Sequence, residues 1–395
     1  MHFSNRQFFL NHIAQTSQAP LLLEIESAQG SLLFTPEGKT LIDLIGGISV
    51  CNIGHSHPQV VAAVQNQAAK HMHLMVYGEV VQAPQVNYAK LLCQYLPPHL
   101  NSIYFTNSGA EATEGALKLA KRYTGRTKII YCQNAYHGST HGALSVMGDE
   151  YFKRNFRPLM PDVEMIKYAD ENELHKIDCR TAAVIFETIQ AESGVTVPSL
   201  SFMQQLSNRC HEVGALLILD EIQAGMGRTG TMFAFEHYAI QPDVLLLAKA
   251  FGGGMPLGAF VAAKEIMASL TENPVLGHIT TFGGHPVSCA AGEAALRVLI
   301  AENIVGKVET KGALFEQLLT HKKIKSKRRK GLLMALEFES FEQNKTIIDK
   351  AIERGVFTDW FLFAPHCLRI APPLNIPDEL IEKSCEILLH CLDQV

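Results

Sequence analysis

Short apolar runs bounded by small and polar residues recur through the middle of the chain and alternate with amphipathic stretches. The runs at 128–132, 182–187, 215–220, 244–247 and 258–263 are too short for helices and end in turn-forming or charged residues, which predicts buried strands. Apolar positions at helical spacing occupy about 110–123, 199–213 and 286–302. This alternation predicts an α/β fold with a large, mainly parallel sheet covered by helices. Beyond about residue 300 the order becomes helix, strand, helix, strand, helix, with strands at 332–338 and 367–371. That change predicts a separate, smaller α+β lobe.

Composition narrows the class. A chain of 395 residues exceeds one compact core and suits one large domain plus a smaller one. With 47% hydrophobic and 18% charged residues it is a well-packed globular protein, and a net charge of −5 gives no reason to expect a nucleic-acid partner. The basic run 322–330 reads as a solvated loop between a helix and the strand at 332–338. An anionic partner is the alternative, but no aromatic residues interleave with the charges. Nine cysteines, an odd number without paired spacing, fit reduced thiols. The first residues lack a signal-peptide pattern and no apolar stretch is long enough to span a bilayer, so a cytoplasmic protein without a membrane partner is expected. His55 with His57, and His71 with His73, have no cysteine or carboxylate nearby to complete a ligand set, so no metal is expected.

Three segments carry chemistry. Lys249 follows the apolar run 244–248 and precedes the glycine-rich stretch 251–258, so an amine stands at a strand end beside a close-packed loop, as a Schiff-base lysine would. A solvated surface lysine is the plainer reading. Asp220 ends the run 215–219, and ligands in open α/β sheets gather beyond the carboxyl ends of strands, so Asp220 and Lys249 are expected to face one crevice. A buried carboxylate needs a cationic partner. The protonated ring nitrogen of pyridoxal phosphate is one, and an Asp220 that merely caps a turn is the alternative. Ser108, Gly109 and Ala110 open the helical pattern after a short strand, where bare backbone amides suit a phosphate. A simple Ser N-cap accounts for the same residues.

Taken together, Gly54-His55-Ser56-His57-Pro58, Asn107-Ser108-Gly109-Ala110-Glu111-Ala112, Tyr136-His137-Gly138, Asp220-Glu221-Ile222-Gln223, Gly227-Arg228-Thr229-Gly230, Ala248-Lys249 and Thr280-Thr281-Phe282-Gly283-Gly284-His285-Pro286 closely resemble the class III, or ω-, aminotransferases. The resemblance implies the aspartate-aminotransferase-like fold (PLP fold type I). It implies a pyridoxal-phosphate-binding domain at 46–300, a small α+β domain at 301–395, and residues 1–45 packed on the latter. It implies that Lys249 bonds the cofactor, Asp220 pairs with the ring nitrogen, and Gln223 approaches the ring hydroxyl. Ser108, Gly109 and Ala110 would cradle the phosphate, Tyr136 would stack on the ring with His137 beside it, and Glu187 would support the site from behind. Thr281, with Thr280 before it, would reach the cofactor of the neighbouring subunit, making a homodimer with shared active sites. Glu192 and Arg369 match a switch pair in which the arginine grips a substrate carboxylate and the glutamate covers it otherwise. A structural Arg369 and a core Tyr136 are the plain alternatives.

Two departures bear on substrate. The acetylornithine, ornithine and 4-aminobutyrate members carry an arginine after the aromatic-x-Gly motif, and this chain has Ser139 there, which cannot supply a charged fork. The ornithine branch has a tyrosine where this chain places Ile48. The expected activity is ping-pong transfer of an amino group from an ω-amino acid or diamine to 2-oxoglutarate. A pyridoxal-phosphate-dependent aminomutase, racemase or decarboxylase on the same fold is the rival, and a non-catalytic binding module the more distant one.

Overall fold

The computed structural model describes residues 4–395. Its centre is a seven-stranded sheet in the order Ser102–Thr106, Gly258–Ala262, Val244–Leu247, Leu216–Asp220, Thr181–Glu187, Lys128–Cys132, Val163–Ile166. All neighbours run parallel except Gly258–Ala262, which lies antiparallel to both of its partners. The strands of the middle are buried on both faces, which is why they read as unbroken apolar runs rather than alternating ones. Four of the five expected strands fall at parallel positions, and Gly258–Ala262 differs because it returns beside Val244–Leu247 after only the glycine-rich turn. A connection that short has no room for a crossover helix.

Helix Gly109–Thr124 packs on this sheet so closely that Gly115 has no space for a side chain: a Cβ there would sit 2.2 Å from Phe260 Cε1, and Phe260 is fully buried. Gly115→Ala gains helix propensity of about 1 kcal/mol but overpacks a rigid aromatic at a cost of ~1–3 kcal/mol. The expected outcome is a lower denaturant midpoint at unchanged slope, measured by chemical unfolding.

The C-terminal region forms an antiparallel sheet in the order Ser326–Lys330, Leu333–Glu337, Ala364–Ile370, Trp360–Phe361, covered by helices Val308–Leu318, Phe341–Glu353 and Asp378–Asp393. The basic run is therefore not a solvated loop. Half of it is the edge strand Ser326–Lys330, in register from Ser326 opposite Glu337 to Lys330 opposite Leu333. Several of its charges find partners within the chain: Arg329 pairs with Glu309 and Glu316, Arg328 with Glu337, Lys325 with Glu339, and Lys327 donates to the Glu316 carbonyl. A lysine- and arginine-rich edge also blunts edge-to-edge pairing. Near the N-terminus, Thr40–Asp43 runs parallel to Val356–Phe357, so the two ends of the chain share a third small sheet.

Arg228 ties these parts together. Fully buried, it donates to the carbonyls of Leu332 (2.9 Å) and Pro372 (2.6 Å) and to Asn52 Oδ1 (2.5 Å). Burial pushes its pKa down to about 9. No helix among the described residues is long and apolar enough to cross a membrane, and all nine cysteines are unpaired.

Candidate active site

A cavity of about 420 Å³ opens beyond the carboxyl ends of the parallel strands. Its size is that of a small-molecule site. Lys249 reaches it because the chain leaves strand Val244–Leu247 through a 3-10 turn in which Lys249 itself takes φ 52°. A left-handed non-glycine residue costs roughly 1–3 kcal/mol and persists only where its surroundings impose it. The Lys249 amine donates to Gln223 Oε1 at 3.0 Å, and burial lowers its pKa to about 8, against the opposing pull of Glu192, Asp220 and Glu187.

Asp220 ends its strand with both carboxylate oxygens engaged. Oδ1 accepts from the Ile222 N–H (2.9 Å) and Oδ2 from His137 Nδ1 (2.6 Å). The second His137 nitrogen, Nε2, is buried without a partner, and so is Gln223 Nε2. Glu187 lies deep at the end of Thr181–Glu187 and accepts from the Tyr136 N–H (3.4 Å); burial raises its pKa well above the carboxylate range, with Asp220 and Glu192 adding to the effect. Tyr136 and Ser139 face the cavity, their hydroxyls 3.3 Å apart.

The phosphate-sized end is formed at the start of helix Gly109–Thr124. Ser108 Oγ accepts from the Glu111 N–H (3.2 Å), as the plain N-cap reading requires, and the Gly109 and Ala110 amides remain at a helix N-terminus that favours an anion. The approach needs glycine. A Cβ at Gly109 would meet Ile222 at 2.8 Å, and Gly138, at φ 125°, lies so near Ala110 that a Cβ would be 2.6 Å from it. An amide cradle, a strand-end acid, a neutralisable amine and two orphaned buried nitrogens make a set that fits pyridoxal phosphate.

Glu192 lines the same cavity and meets Arg369 in a two-pronged pair, Nη1 to Oε1 at 2.8 Å and Nη2 to Oε2 at 3.0 Å. Burial alone would raise the Glu192 carboxyl, and the Arg369 charge overcomes it and holds the pKa below its ordinary value. Arg369 is thus brought to the site through Glu192 rather than lining the cavity itself.

Three further expected residues lie outside the lining of this cavity. Ile48 lies in the turn Gly46–Ser49 at φ 60°, and its neighbour Val50 lines the cavity instead. That turn is held by Asp43, whose Oδ1 accepts from the Ile45 and Gly46 N–H groups while Oδ2 takes a 2.7 Å bond from His55. The Asp43 hydrogen bond raises the His55 pKa to about 10. His55 therefore serves the turn, and His57 lies 3.5 Å from Glu302. Thr280 accepts from Asn107 Nδ2 (3.2 Å), and Thr281 projects from an exposed loop; neither lines this chain's own cavity. The cavity-lining Ile189 and Met255 carried no signal beyond ordinary apolar residues in the sequence.

A mainly parallel sheet with this lysine, acid and amide cradle at its carboxyl edge defines a pyridoxal-phosphate enzyme of fold type I. Residues 13–392 match the family described as Aminotransferase class-III, and the chain belongs to it, with pyridoxal 5′-phosphate as cofactor. It is 39% identical over 386 residues to an acetylornithine aminotransferase of Methanopyrus kandleri, covering 96% of each chain. In structure it is similar to the ornithine aminotransferase of Toxoplasma gondii (TM-score 0.91, 30% identity, 98% of this chain and 93% of that one). It is likewise similar to an (S)-enantioselective ω-transaminase of Thermomicrobium roseum (TM-score 0.91, 27% identity, 98% and 97%).

Proposed function

We propose that this aminotransferase works by a ping-pong mechanism, with 2-oxoglutarate as acceptor and, as donor, an ω-amino acid or diamine whose amine-bearing carbon carries no carboxylate. The observation that carries the reading is the Arg369–Glu192 fork at the wall of a cavity in which Ser139 stands where a second cation would be needed. Arg369 would hold the carboxylate beside the keto carbon of 2-oxoglutarate, and a donor whose amine-bearing carbon carries no carboxylate leaves Glu192 on Arg369.

When bound, the cofactor supplies an electron sink for the amine-bearing carbon. Asp220, oriented by His137, would keep the proton on the ring nitrogen. Ser108, Gly109 and Ala110 would hold the phosphate, with Tyr136 and Gln223 as further contacts to the ring. Lys249 Nζ takes the proton from the substrate carbon and returns it, which an amine near pKa 8 does at neutral to mildly alkaline pH. Burial raises the Glu187 carboxyl above its ordinary range, which favours its neutral form.

A homodimer fits the apolar face around Thr281, where Val275, Leu276, Ile279 and Phe282 are all more than half exposed in the single chain. Thr280 and Thr281 would then serve the partner's cofactor. Residues 46–300 form the cofactor-binding unit in this reading, and the protein is cytoplasmic.

Donor alone should convert bound cofactor to its amine form, which 2-oxoglutarate then reverses. A bidentate charged contact is worth about 1.5–3 kcal/mol, so Arg369→Ala should lower kcat/KM for 2-oxoglutarate by about tenfold or more. Retention of the aldehyde form with every donor of a panel would favour the aminomutase, racemase or decarboxylase reading instead.

A further inference from the structure

One arginine of the basic edge strand makes a contact that its ion pair does not explain. Arg328 Nη1 donates to Glu337 Oε2 (2.5 Å) and Ser326 Oγ (3.2 Å), and Nη2 meets Cys367 Sγ (3.2 Å). Partners on three neighbouring strands thus fix the guanidinium. Its remaining Nε–H reaches out of the sheet and donates to the Gly194 carbonyl at 2.6 Å, two residues after Glu192. The fit needs glycine: Gly194 stands at φ 82°, and a Cβ there would lie 2.7 Å from Arg328 Nη2.

The turn that carries Glu192 is closed at its base by a two-way bridge, from the Gln190 N–H to the Thr196 carbonyl (3.0 Å) and from the Thr196 N–H to the Gln190 carbonyl (2.9 Å). Its tip rests on the C-terminal sheet. The Phe363 N–H donates to the Glu192 carbonyl (3.0 Å), the Leu362 N–H to Glu192 Oε2 (3.0 Å), and Arg328 to Gly194. Arg369 is not free to follow Glu192. Its Nε–H donates to Asp359 Oδ1 (2.8 Å), its Nη2 to the Trp360 carbonyl (2.9 Å), and the Phe361 ring lies 4.5 Å from Cζ. Any exchange of partners on the Nη edge is therefore a movement of Glu192, and the anchorage of its turn governs how readily it leaves.

We propose that Arg328 is a positioning residue: by clamping Gly194 it fixes the backbone beneath Glu192 and sets how firmly that carboxylate occupies Arg369. It thereby sets how the site weighs amines with and without a carboxylate on the reacting carbon. The inference rests on the reading of Arg369 as the holder of that carboxylate. An amine that bears one must take Arg369 from Glu192. A side chain on a fixed backbone returns to one geometry, whereas one on a loosened turn must be ordered anew each time. The clamp strengthens Glu192 as a competitor and favours amines that leave it in place.

The test compares L-norvaline with n-butylamine, which differ only by the carboxylate on the amine-bearing carbon; butylamine has none that could occupy Arg369. Rapid-mixing absorbance of the cofactor in the holoenzyme gives a dissociation constant for each before slower turnover. Arg328→Lys keeps the charge but loses the planar fork that spans Glu337, Cys367 and Gly194. In this variant the affinity ratio of norvaline to butylamine should rise about fivefold, the worth of one hydrogen bond. Gly194→Ala keeps the arginine, crowds the same contact from the other side, and should shift the ratio in the same direction. An unchanged or lower ratio in either variant that still binds cofactor would overturn the proposal, because a merely structural arginine weakens both ligands alike. In Arg369→Ala, norvaline should lose about tenfold more affinity than butylamine. Equal losses there would instead sink the reading of Arg369 on which the proposal stands.

Discussion

Replacing Lys249 with alanine is expected to lower transamination by about 10³-fold or more, since the site loses both its nucleophile and the base that moves the substrate proton. Steady-state assay with the best donor checks the loss. Mass spectrometry after borohydride treatment should find cofactor fixed at residue 249 in the unaltered protein and nowhere in the variant. The pH dependence follows from burial. An ordinary lysine loses its proton near pH 10.4, whereas here the neutral amine is reached near pH 8. Below that value the neutral fraction, and with it the rate at which cofactor-free protein captures pyridoxal phosphate, should rise about tenfold per pH unit and level off above it. A rate still climbing steeply at pH 10 would mean that Lys249 is not desolvated as the structure has it.

Asp220→Asn separates the turn-capping contact of this side chain from the ring-nitrogen role proposed for it. Asparagine keeps an oxygen to accept the Ile222 N–H, so a turn-capping role survives the change. It removes the charge that would hold the cofactor's ring nitrogen protonated. A loss on the order of 10²- to 10³-fold in kcat is expected, the scale seen when one electrostatic stabiliser is removed from a water-excluded site. Circular dichroism and unfolding midpoints should change little by comparison. Near-normal kcat in this variant would reduce Asp220 to its capping role. The His137 contact sharpens the comparison, because its Nδ1–H would then face an amide in place of a carboxylate, a weaker acceptor.

Much of this site could be read along the chain because its parts are local. Lys249, Asp220 and the Ser108–Ala110 turn each stand at the end of a buried strand, and the strand and its terminating residue are contiguous in sequence. The periodicity of apolar residues therefore delivered both the sheet and the positions of its chemical groups. The switch pair was legible through its motifs. Asp359 was not, although it lies only ten positions before Arg369, because its meeting with that residue depends on the register of two short strands around the Leu362–Phe363 turn. The place of Ile48 was not legible for a related reason: a backbone turn held by Asp43 and His55 puts Val50, rather than Ile48, in the lining of this chain's cavity.

By itself the sequence determined the α/β class, the strand ends and the chemical groups that stand at them, since these follow from hydrophobic period and from neighbours a few residues apart. Tertiary structure alone decided that residues 326–330 of the basic run form an edge strand with its arginines paired to acids, that Gly258–Ala262 runs against the rest of the sheet, and that Arg369 is shared between two acids. Register and strand direction depend on long-range pairing, which no local pattern encodes, and a buried charge takes its partners from whichever elements the fold brings beside it.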